Sequence, residues 1–309
     1  MTIEALLLVE KCSHCFSTYD LASGERIASV ALPDYPHEFV TDAANRFAYV
    51  GHYGVEHSGI SGPGGHSIFQ IDIRSSKLVR TIDLSPFNRL HGLQIDAQDR
   101  LYALSEEKAT LLVLDQPQTD TAPKRAVSSG GLKSHLFALT RDGQTAYCMN
   151  LLSHTVAKVK PWDPLFTPQL CAPGQKPEGY ALSEDERTLY VTNRWSNTLV
   201  AIDTATMQVL RTAPSRDDAT RLYRYRDGRI VVSNYGERSL SIIDPATLAE
   251  LAHVPTGARA IALSFHPGKP LAYVSLDDDR VGVFDMERAV FTSYILTQRE
   301  PDVSKVVLL

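Results

Sequence analysis

The sequence predicts an all-β fold, a seven-bladed β-propeller, and three observations lead to that prediction. A pattern of strand, turn, strand, turn and strand recurs seven times, and the anchor residues of these copies lie 41 to 52 residues apart. No long helical period interrupts the copies, and turn pairs such as Asp142-Gly143 separate their strands. Repeats of this length that contain only short strands are typical of propeller blades. We therefore predict a single domain, residues 1–309, with one repeat per blade.

The clearest copy runs from Glu178 to Thr206, and its third strand ends at Asp203. The equivalent anchors of the other copies, in chain order, are Asp20, Asp72, Asp115, Lys160, Asp244 and Asp285. β-rich runs bounded by turn residues predict central strands. Three such runs are Thr188–Thr192, Arg229–Ser233 and Leu271–Ser275.

The two ends of the chain predict one shared blade. The first apolar run, Ala5–Val9, has the pattern of a second strand, whereas Ser304–Leu309 has the pattern of a first strand. We expect the C-terminal strand to complete the first blade, because this pairing removes an open sheet edge.

Composition narrows the classes of function. Hydrophobic residues make up 43% of the chain and charged residues 22%, as in soluble globular proteins. A net charge of −5 gives no broad basic field, which argues against nucleic acid and anionic membranes as partners. Ala5–Val9 is too short to span a membrane, and Glu4 stands where an export signal has basic residues, so we expect a cytoplasmic location. The four cysteines are then expected to be thiols.

The motif Leu189-Tyr190-Val191-Thr192-Asn193, followed by Asp203, resembles the YVTN-repeat propellers. That group overlaps the bacterial lactonase-type seven-bladed propellers. The resemblance covers nearly the whole chain and implies the same fold. Because the family holds lactonases, surface-layer proteins and modules without assigned chemistry, lactone hydrolysis is the reaction that the resemblance implies, by analogy alone.

Alignment of the copies predicts two rows of side chains at one face of the fold. The start of the first strand in each copy gives His37, His91, His135, Glu178, Arg221, Arg259 and Ser304. The end of the second strand gives Glu10, His52, Ser105, Asn150, Asn193, Asn234 and Leu276. In an up-and-down blade these two positions lie on the same face, so we expect both rows to line one mouth of a central channel.

Three histidines and a glutamate occupy successive copies of the first row, and two chemistries suit them. His37, His91, His135 and Glu178 are candidate ligands of a divalent transition metal. Without a metal, the same four side chains and His52 are candidate general acids and bases. Each histidine taken alone is better explained by core packing or solvation, and it is the coincidence of three at one position that indicates a site.

The second half of the chain supplies candidate substrate contacts. Arg221 and Arg259 offer planar forks for a carboxylate or phosphate, unless each pairs with a nearby acid. Arg194 and Trp195 add a cation and a stacking face. The end-position residues Asn193 and Glu10 are further candidates, although an asparagine there also suits a hydrogen bond within its own turn.

Two loops carry further signals. The segment between His52 and Asp72 is about twice as long as in other copies and is rich in glycine. It is predicted either as a cover that delivers Tyr53 or His57 to the site or as a disordered surface loop. The pair Cys12 and Cys15 forms a CxxC in a β-turn, where ordinary turn cysteines are the favoured interpretation.

Together these patterns favour an enzyme that acts on a small anionic molecule by hydrolase, lyase or isomerase chemistry. No nucleotide cofactor is expected, because the sequence lacks a phosphate loop and a dinucleotide fingerprint. The alternative is a non-catalytic propeller that binds a ligand or a protein through the same residues. A redox partner is a third class, and it would need the thiols or a metal to cycle.

Overall fold

The computed structural model describes residues 3–309, which form seven four-stranded antiparallel sheets. This confirms the predicted seven-bladed β-propeller, in which each sheet is one blade. The strands are β1 (Glu4–Glu10), β2 (Cys15–Asp20), β3 (Arg26–Ala31), β4 (Pro36–Thr41), β5 (Phe47–His52), β6 (Ser67–Asp72), β7 (Lys77–Asp83), β8 (Leu90–Ile95), β9 (Leu101–Ser105), β10 (Thr110–Leu114), β11 (Arg125–Ser128), β12 (Ser134–Leu139), β13 (Ala146–Asn150), β14 (Thr155–Val159), β15 (Gln169–Cys171), β16 (Pro177–Leu182), β17 (Thr188–Asn193), β18 (Thr198–Asp203), β19 (Val209–Pro214), β20 (Ala219–Arg224), β21 (Ile230–Asn234), β22 (Ser239–Ile243), β23 (Glu250–Pro255), β24 (Ala260–Phe265), β25 (Leu271–Leu276), β26 (Arg280–Asp285), β27 (Val290–Leu296) and β28 (Pro301–Leu308).

Backbone contacts group the chain into two compact units. The first unit holds the described residues up to His91 together with Gln118–Ala122 and Ala260–Leu309. It contains blade one, in the strand order β28-β1-β2-β3, as well as blade two (β4–β7) and blade seven (β24–β27). The C-terminal strand β28 thus completes the first blade, as predicted. Apolar side chains of blades one and two, including Leu7, Val50, Phe69 and Val307, form one buried cluster.

The second unit holds Gly92–Pro117 and Pro123–Arg259. It contains most of blade three (β8–β11) and all of blades four (β12–β15), five (β16–β19) and six (β20–β23). Alternating apolar residues such as Met149, Val191 and Ile202 are fully buried between adjacent sheets. The intervening residues Cys148 and Ala201 are fully buried on the opposite faces of their strands. Apolar residues on both faces suit strands that neighbouring sheets cover on two sides.

The recurring anchor aspartates close turns between strands. Asp203 Oδ1 accepts hydrogen bonds from the backbone N–H groups of Ala205 at 3.0 Å and Thr206 at 2.7 Å. Asp20 Oδ1 accepts them in the same way from Ala22 and Ser23. An aspartate that bonds the backbone two and three residues ahead is a standard turn device, which explains why the residue recurs.

The first strand of most blades begins with two linked irregularities. In six of the blades within residues 3–309, the residue just before this strand has a left-handed backbone with φ between 50° and 56°. These residues are Tyr35, Arg89, Lys133, Lys176, Asp218 and Glu300. A β-bulge then follows at the start of the strand in blades one, two, four, five, six and seven. A β-bulge changes the direction of the side chains around it. Side chains at the start of the first strand therefore do not simply alternate between the two faces of the sheet.

No helix within residues 3–309 is long and apolar enough to cross a bilayer. All four cysteines are free thiols, as predicted.

Candidate functional site

The strand pairing defines one structurally equivalent start position per blade, the second residue of each first strand. Reading it in chain order from blade two gives His37, His91, His135, Glu178, Thr220, Ile261 and Asp302. The sequence alignment was therefore wrong in the last three copies. Arg221 lies one residue too late, Arg259 lies before β24, and Ser304 lies two residues too late. Thr220 and Asp302 hold those positions in blades six and one, and the end-position residues were assigned correctly.

A first group of polar residues lies within the first unit, and we call it the His37 cluster: His37, Glu38, Tyr53, His91 and Asp302. The ring centroids of His37 and His91 are 4.2 Å apart, with an angle of 58° between the rings. The Tyr53 ring lies 4.9 Å from His91 and 5.5 Å from His37, edge-on to both. His91 is only 1% exposed, so these rings meet away from bulk water.

Asp302 supplies the carboxylate of the His37 cluster. Its Oδ2 atom lies 2.8 Å from His37 Nδ1, and the residue is 0% exposed. A backbone contact fixes Asp302 from the other side, because its carbonyl oxygen accepts a 2.6 Å hydrogen bond from Ser275 Oγ. The contact is one of charge and proximity, because His37 Nδ1 makes no hydrogen bond to a described residue.

Glu38 joins the cluster through the bulge in blade two. Pro36 pairs with His52 and Phe39 with Val50, so His37 and Glu38 together oppose the single residue Gly51. His37, Glu38 and His91 each have one ligand atom within 4.8 Å of those of the other two. Strict alternation would have sent consecutive side chains to opposite faces, and for that reason the sequence reading missed Glu38.

The long loop of blade two delivers Tyr53 without any closing movement. Arg89 holds this loop: its Nε and Nη2 atoms donate to the carbonyl oxygen of Gly62 at 3.1 and 2.8 Å, and further bonds reach Ser58 and Ile60. Gly64 has φ +70°, and a Cβ there would come within 2.5 Å of the Arg89 side chain. The loop is therefore ordered around Arg89, which corrects the interpretation as a disordered segment, while His57 is exposed and bonds only within its own turn.

A second group lies within the second unit, and we call it the His135 cluster: Glu106, His135, Glu178, Arg194 and Asp218. His135 Nδ1 donates to Glu106 Oε2 at 2.5 Å, since a carboxylate can only accept. His135 Nε2 lies 3.8 Å from Glu178 Oε1. Two predicted residues, His135 and Glu178, are therefore in contact, and each is buried.

Arg194 links the two remaining carboxylates of the His135 cluster. Its Nη1 atom donates to Glu178 Oε2 at 2.8 Å, while Nε and Nη2 donate to the two oxygens of Asp218 at 2.5 and 2.8 Å. Burial alone would raise the pKa of Glu178, but the charges of Arg194 and His135 lower it to about 2. Arg194 is thus already paired with two acids, and this geometry favours a positioning role over the predicted contact with a substrate anion.

Other predicted site residues have varied surroundings. Glu10 is buried and accepts from Tyr19 Oη at 2.5 Å, Ser17 Oγ at 2.6 Å and the backbone N–H of Gln298 at 2.7 Å, as a structural residue would. Asn193 donates to Thr198 Oγ1 and the carbonyl of Pro173, which favours the turn interpretation. Trp195 is 59% exposed. Burial and the nearby His66 lower the pKa of His52.

Four residues singled out in the sequence remain, namely two arginines and two turn cysteines. Arg221 is buried and its charge acts on Glu178, whereas Arg259 is exposed. Burial and Glu300 raise the pKa of Cys12 to about 12, so this thiol stays protonated at neutral pH. That state agrees with the interpretation of Cys12 and Cys15 as ordinary turn cysteines.

Start-position side chains in the two clusters contact the residue just after the end of a second strand. The sequence singled out Tyr53 and Arg194 individually but not Glu106, and this position was not aligned as a row. In blades two, three and five this residue is Tyr53, Glu106 and Arg194. Each contacts a start-position side chain: Tyr53 meets His37 and His91, Glu106 meets His135, and Arg194 meets Glu178. Extending the repeat alignment by one residue would have found this third row.

Comparison with known proteins supports the fold. No family model and no curated protein matches the chain. Among solved structures, a periplasmic gluconolactonase from Pseudomonas aeruginosa is 18% identical, with 99% of each chain covered and a TM-score of 0.76. A 6-phosphogluconolactonase candidate from Bacteroides uniformis is 14% identical, with 98% of this chain and 99% of that chain covered and a TM-score of 0.77.

A functionally unknown protein from Desulfotomaculum acetoxidans is 12% identical, with 98% of each chain covered and a TM-score of 0.78. At such low identities the likeness concerns the fold and not the reaction. The chain therefore shares its architecture, over nearly its whole length, with proteins that include a gluconolactonase.

Proposed function

We propose that this protein is a hydrolase that opens small lactones carrying a carboxylate or a phosphate. The observation that carries the proposal is the buried His37–Asp302 pair, in which a carboxylate lies 2.8 Å from Nδ1 of an imidazole. A buried histidine beside a carboxylate is a standard candidate for a general base. The likeness in fold to a gluconolactonase supports lactones as the substrate class.

In the proposed reaction, His37 Nε2 takes a proton from a water molecule as the water oxygen bonds to the lactone carbonyl carbon. The resulting tetrahedral intermediate collapses, the bond from that carbon to the ring oxygen breaks, and His91 protonates the leaving oxygen. The product is an open-chain hydroxy acid. His91 suits the acid role because its ring lies 4.2 Å from that of His37.

Several finer points stay predictions. Arg221 and Arg259 are the candidate anchors for the substrate anion, and His52, His135 and Glu178 are further candidate catalytic groups. The sequence also predicts a divalent metal held by His37, His91, His135 and Glu178, as well as a cytoplasmic location. Lyase or isomerase chemistry on the same anionic substrate is the alternative reaction.

The test is a lactonase assay on untagged protein. Acid release from glucono-δ-lactone, 6-phosphoglucono-δ-lactone and an uncharged lactone is followed with a pH indicator and corrected for spontaneous opening. We expect turnover of the anionic substrate, and a loss of roughly 10²- to 10⁴-fold in His37→Ala, as is usual for a general base. His253→Ala is the matched control, because His253 is exposed on β23 and should leave the rate unchanged.

Absence of turnover on every lactone would overturn the proposal. Calorimetric titration with small carboxylates and sugar phosphates then decides what replaces it. Binding that His37→Ala abolishes would support the non-catalytic ligand-binding alternative.

A further inference from the structure

We propose that His37, Glu38 and His91 form a binding site for one divalent transition-metal ion. One ligand atom from each residue lies within 4.8 Å of the others. The site differs from the ligand set predicted from the sequence, because Glu38 takes the place of His135 and Glu178. An ion on His37 and His91 would occupy ring nitrogens that the proposed reaction uses to move protons, so that reaction requires the ion-free protein. Binding of an ion and turnover of a lactone are measured separately.

Backbone geometry explains why these three residues converge. The bulge in blade two places both His37 and Glu38 opposite Gly51, so two consecutive residues serve one site. His91 occupies the equivalent start position on β8. All three donors are therefore placed by strand backbones, which hold ligands more precisely than loops do.

The distances allow an ion with small side-chain movements. Metal–ligand bonds of about 2.0–2.2 Å in tetrahedral geometry put ligand atoms roughly 3.4 Å apart. Closing from 4.8 Å needs side-chain shifts on the order of 1 Å, well within the range of a χ rotation. The His37 and His91 rings are inclined at 58° and are therefore not stacked flat on each other. In a flat stack both ring edges would face away from a shared ion.

Asp302 has the place of an orienting carboxylate. Histidines that bind a metal usually donate their other ring N–H to a carboxylate or a carbonyl, which fixes the ring and raises its basicity. Asp302 Oδ2 lies 2.8 Å from His37 Nδ1, and Glu38 Oε1 lies 4.0 Å from the same nitrogen. Because Asp302 is fully buried and held by Ser275, it acts as a positioning residue and not as a ligand.

The donor set defines the class of ion. Two imidazole nitrogens and one carboxylate oxygen suit Zn²⁺, Fe²⁺, Mn²⁺ or Co²⁺, whereas Ca²⁺ and Mg²⁺ prefer sites made only of oxygen. Three protein ligands leave at least one position open, as in catalytic and not structural zinc sites. Such an ion would polarise a bound oxygen or lower the pKa of a bound water.

Metal binding itself is the test. Untagged protein is stripped with a chelator, reloaded with Zn²⁺ and passed through a desalting column, and the retained metal is measured by mass spectrometry. Reloading with Co²⁺ gives visible absorption bands that report the coordination geometry. We expect one ion per chain in the wild type and at least a tenfold loss of affinity in His91→Ala and Glu38→Gln.

Matched variants separate the two ligand sets. His135→Ala and Glu178→Gln should keep the ion if the site is the one proposed here, whereas the set predicted from the sequence requires that they lose it. Glu38→Gln keeps the size of a half-buried side chain, and its circular dichroism and melting temperature verify the fold. The site is wrong if the wild type retains no ion, or if Glu38→Gln retains a full equivalent.

The lactone assay on stripped and reloaded protein keeps the two proposals apart. Full turnover by protein that binds no ion would overturn the metal site alone. An ion bound by the reloaded protein, with no lactone turnover by either the stripped or the reloaded protein, would overturn the hydrolase proposal alone.

Discussion

At the scale of single residues, a neighbouring carboxylate defines what a buried histidine can do. His37 lies beside Asp302 and His135 beside Glu106, in both cases through Nδ1. The two contacts differ, because His135 Nδ1 makes a hydrogen bond to Glu106 whereas His37 Nδ1 lies near Asp302 without one. The carboxylate therefore fixes the ring nitrogen of His135 and acts on His37 through its charge.

The first prediction concerns Asp302. Asp302→Asn keeps the shape of the side chain but replaces the carboxylate near Nδ1 with a neutral amide, so His37 loses the negative charge beside it. We expect kcat for lactone opening to fall roughly 10- to 100-fold while KM stays nearly constant. When Asp302→Asn is added to His37→Ala, kcat should fall no further, because the two residues act as a unit. Additive losses in the double variant would show that Asp302 acts only on stability.

The second prediction concerns pH. The folded-state pKa of Glu178, about 2, lies below its ordinary value of 4.5. Stability from the ionised carboxylate is therefore complete above pH 4.5 and is lost as pH falls towards 2. We expect Glu178→Gln to be less stable than the wild type at pH 6, with a difference that shrinks from pH 4.5 to pH 3 in urea unfolding. The exposed Glu25→Gln serves as the control, and a difference that is constant with pH would contradict the assignment.

Residue-level prediction from the sequence succeeded where the repeats kept their spacing. His37, His91, His135 and Glu178 all occupy the true start position, because the distance from the connecting loop to the recurring Ser/Thr/Asp is the same in those copies. Asp302 was missed because the last copy was aligned two residues late. Glu38 was missed for a different reason, since a β-bulge overrides the alternation on which such readings rely.

At the scale of elements, the blade-two loop is built around one arginine. Arg89 has a left-handed backbone conformation and directs its guanidinium to carbonyl groups at Ser58, Ile60 and Gly62. Charged donors to backbone carbonyls are among the stronger hydrogen bonds of a protein. The loop carries Tyr53 against the two histidines, so its order bears directly on the His37 cluster.

The third prediction follows from this arrangement. Arg89→Ala should speed hydrogen–deuterium exchange across residues 53–66 by at least tenfold and raise KM for the lactone more than it lowers kcat. Arg80→Ala is a suitable control, because Arg80 donates to the carbonyls of Thr119 and Asp120 in a different loop. It should loosen the region around 119–120 and leave 53–66 unchanged. Unaltered exchange of 53–66 in Arg89→Ala would show that the loop is held by its glycine turns alone.

At the scale of the whole molecule, seven similar sheets carry very different chemistry at equivalent positions. The strands, their turns and the shared first blade were all predictable, because apolar alternation and anchor aspartates repeat in nearly every copy. The contacts within the His37 cluster and the His135 cluster were not predictable from the sequence. These contacts depend on which residue after a second strand reaches which start-position side chain. The repeat pattern does not determine that pairing.

The fourth prediction tests the shared first blade. Val307 of β28 is 2% exposed and packs with residues of blades one and two, whereas its neighbour Leu308 is 62% exposed. Val307→Ala should lower the free energy of unfolding by about 2 kcal/mol, from lost burial and the cavity left behind. Leu308→Ala should change it by less than about 0.5 kcal/mol. Equal effects in urea unfolding would mean that β28 adds little to the blade.

The pairing of β1 with β28 has a consequence during synthesis. Glu4 pairs with Leu308 and Ala5 with Val307, so the strands of all the other blades lie between these two strands in the chain. While the ribosome adds the intervening residues, β1 has one edge without its neighbour, and the apolar side chains Leu6, Leu7 and Leu8 await their cover. Later blades can assemble as they emerge, since their four strands are consecutive. Blade one is therefore completed only after the strands of the other six blades in residues 3–309 have been made.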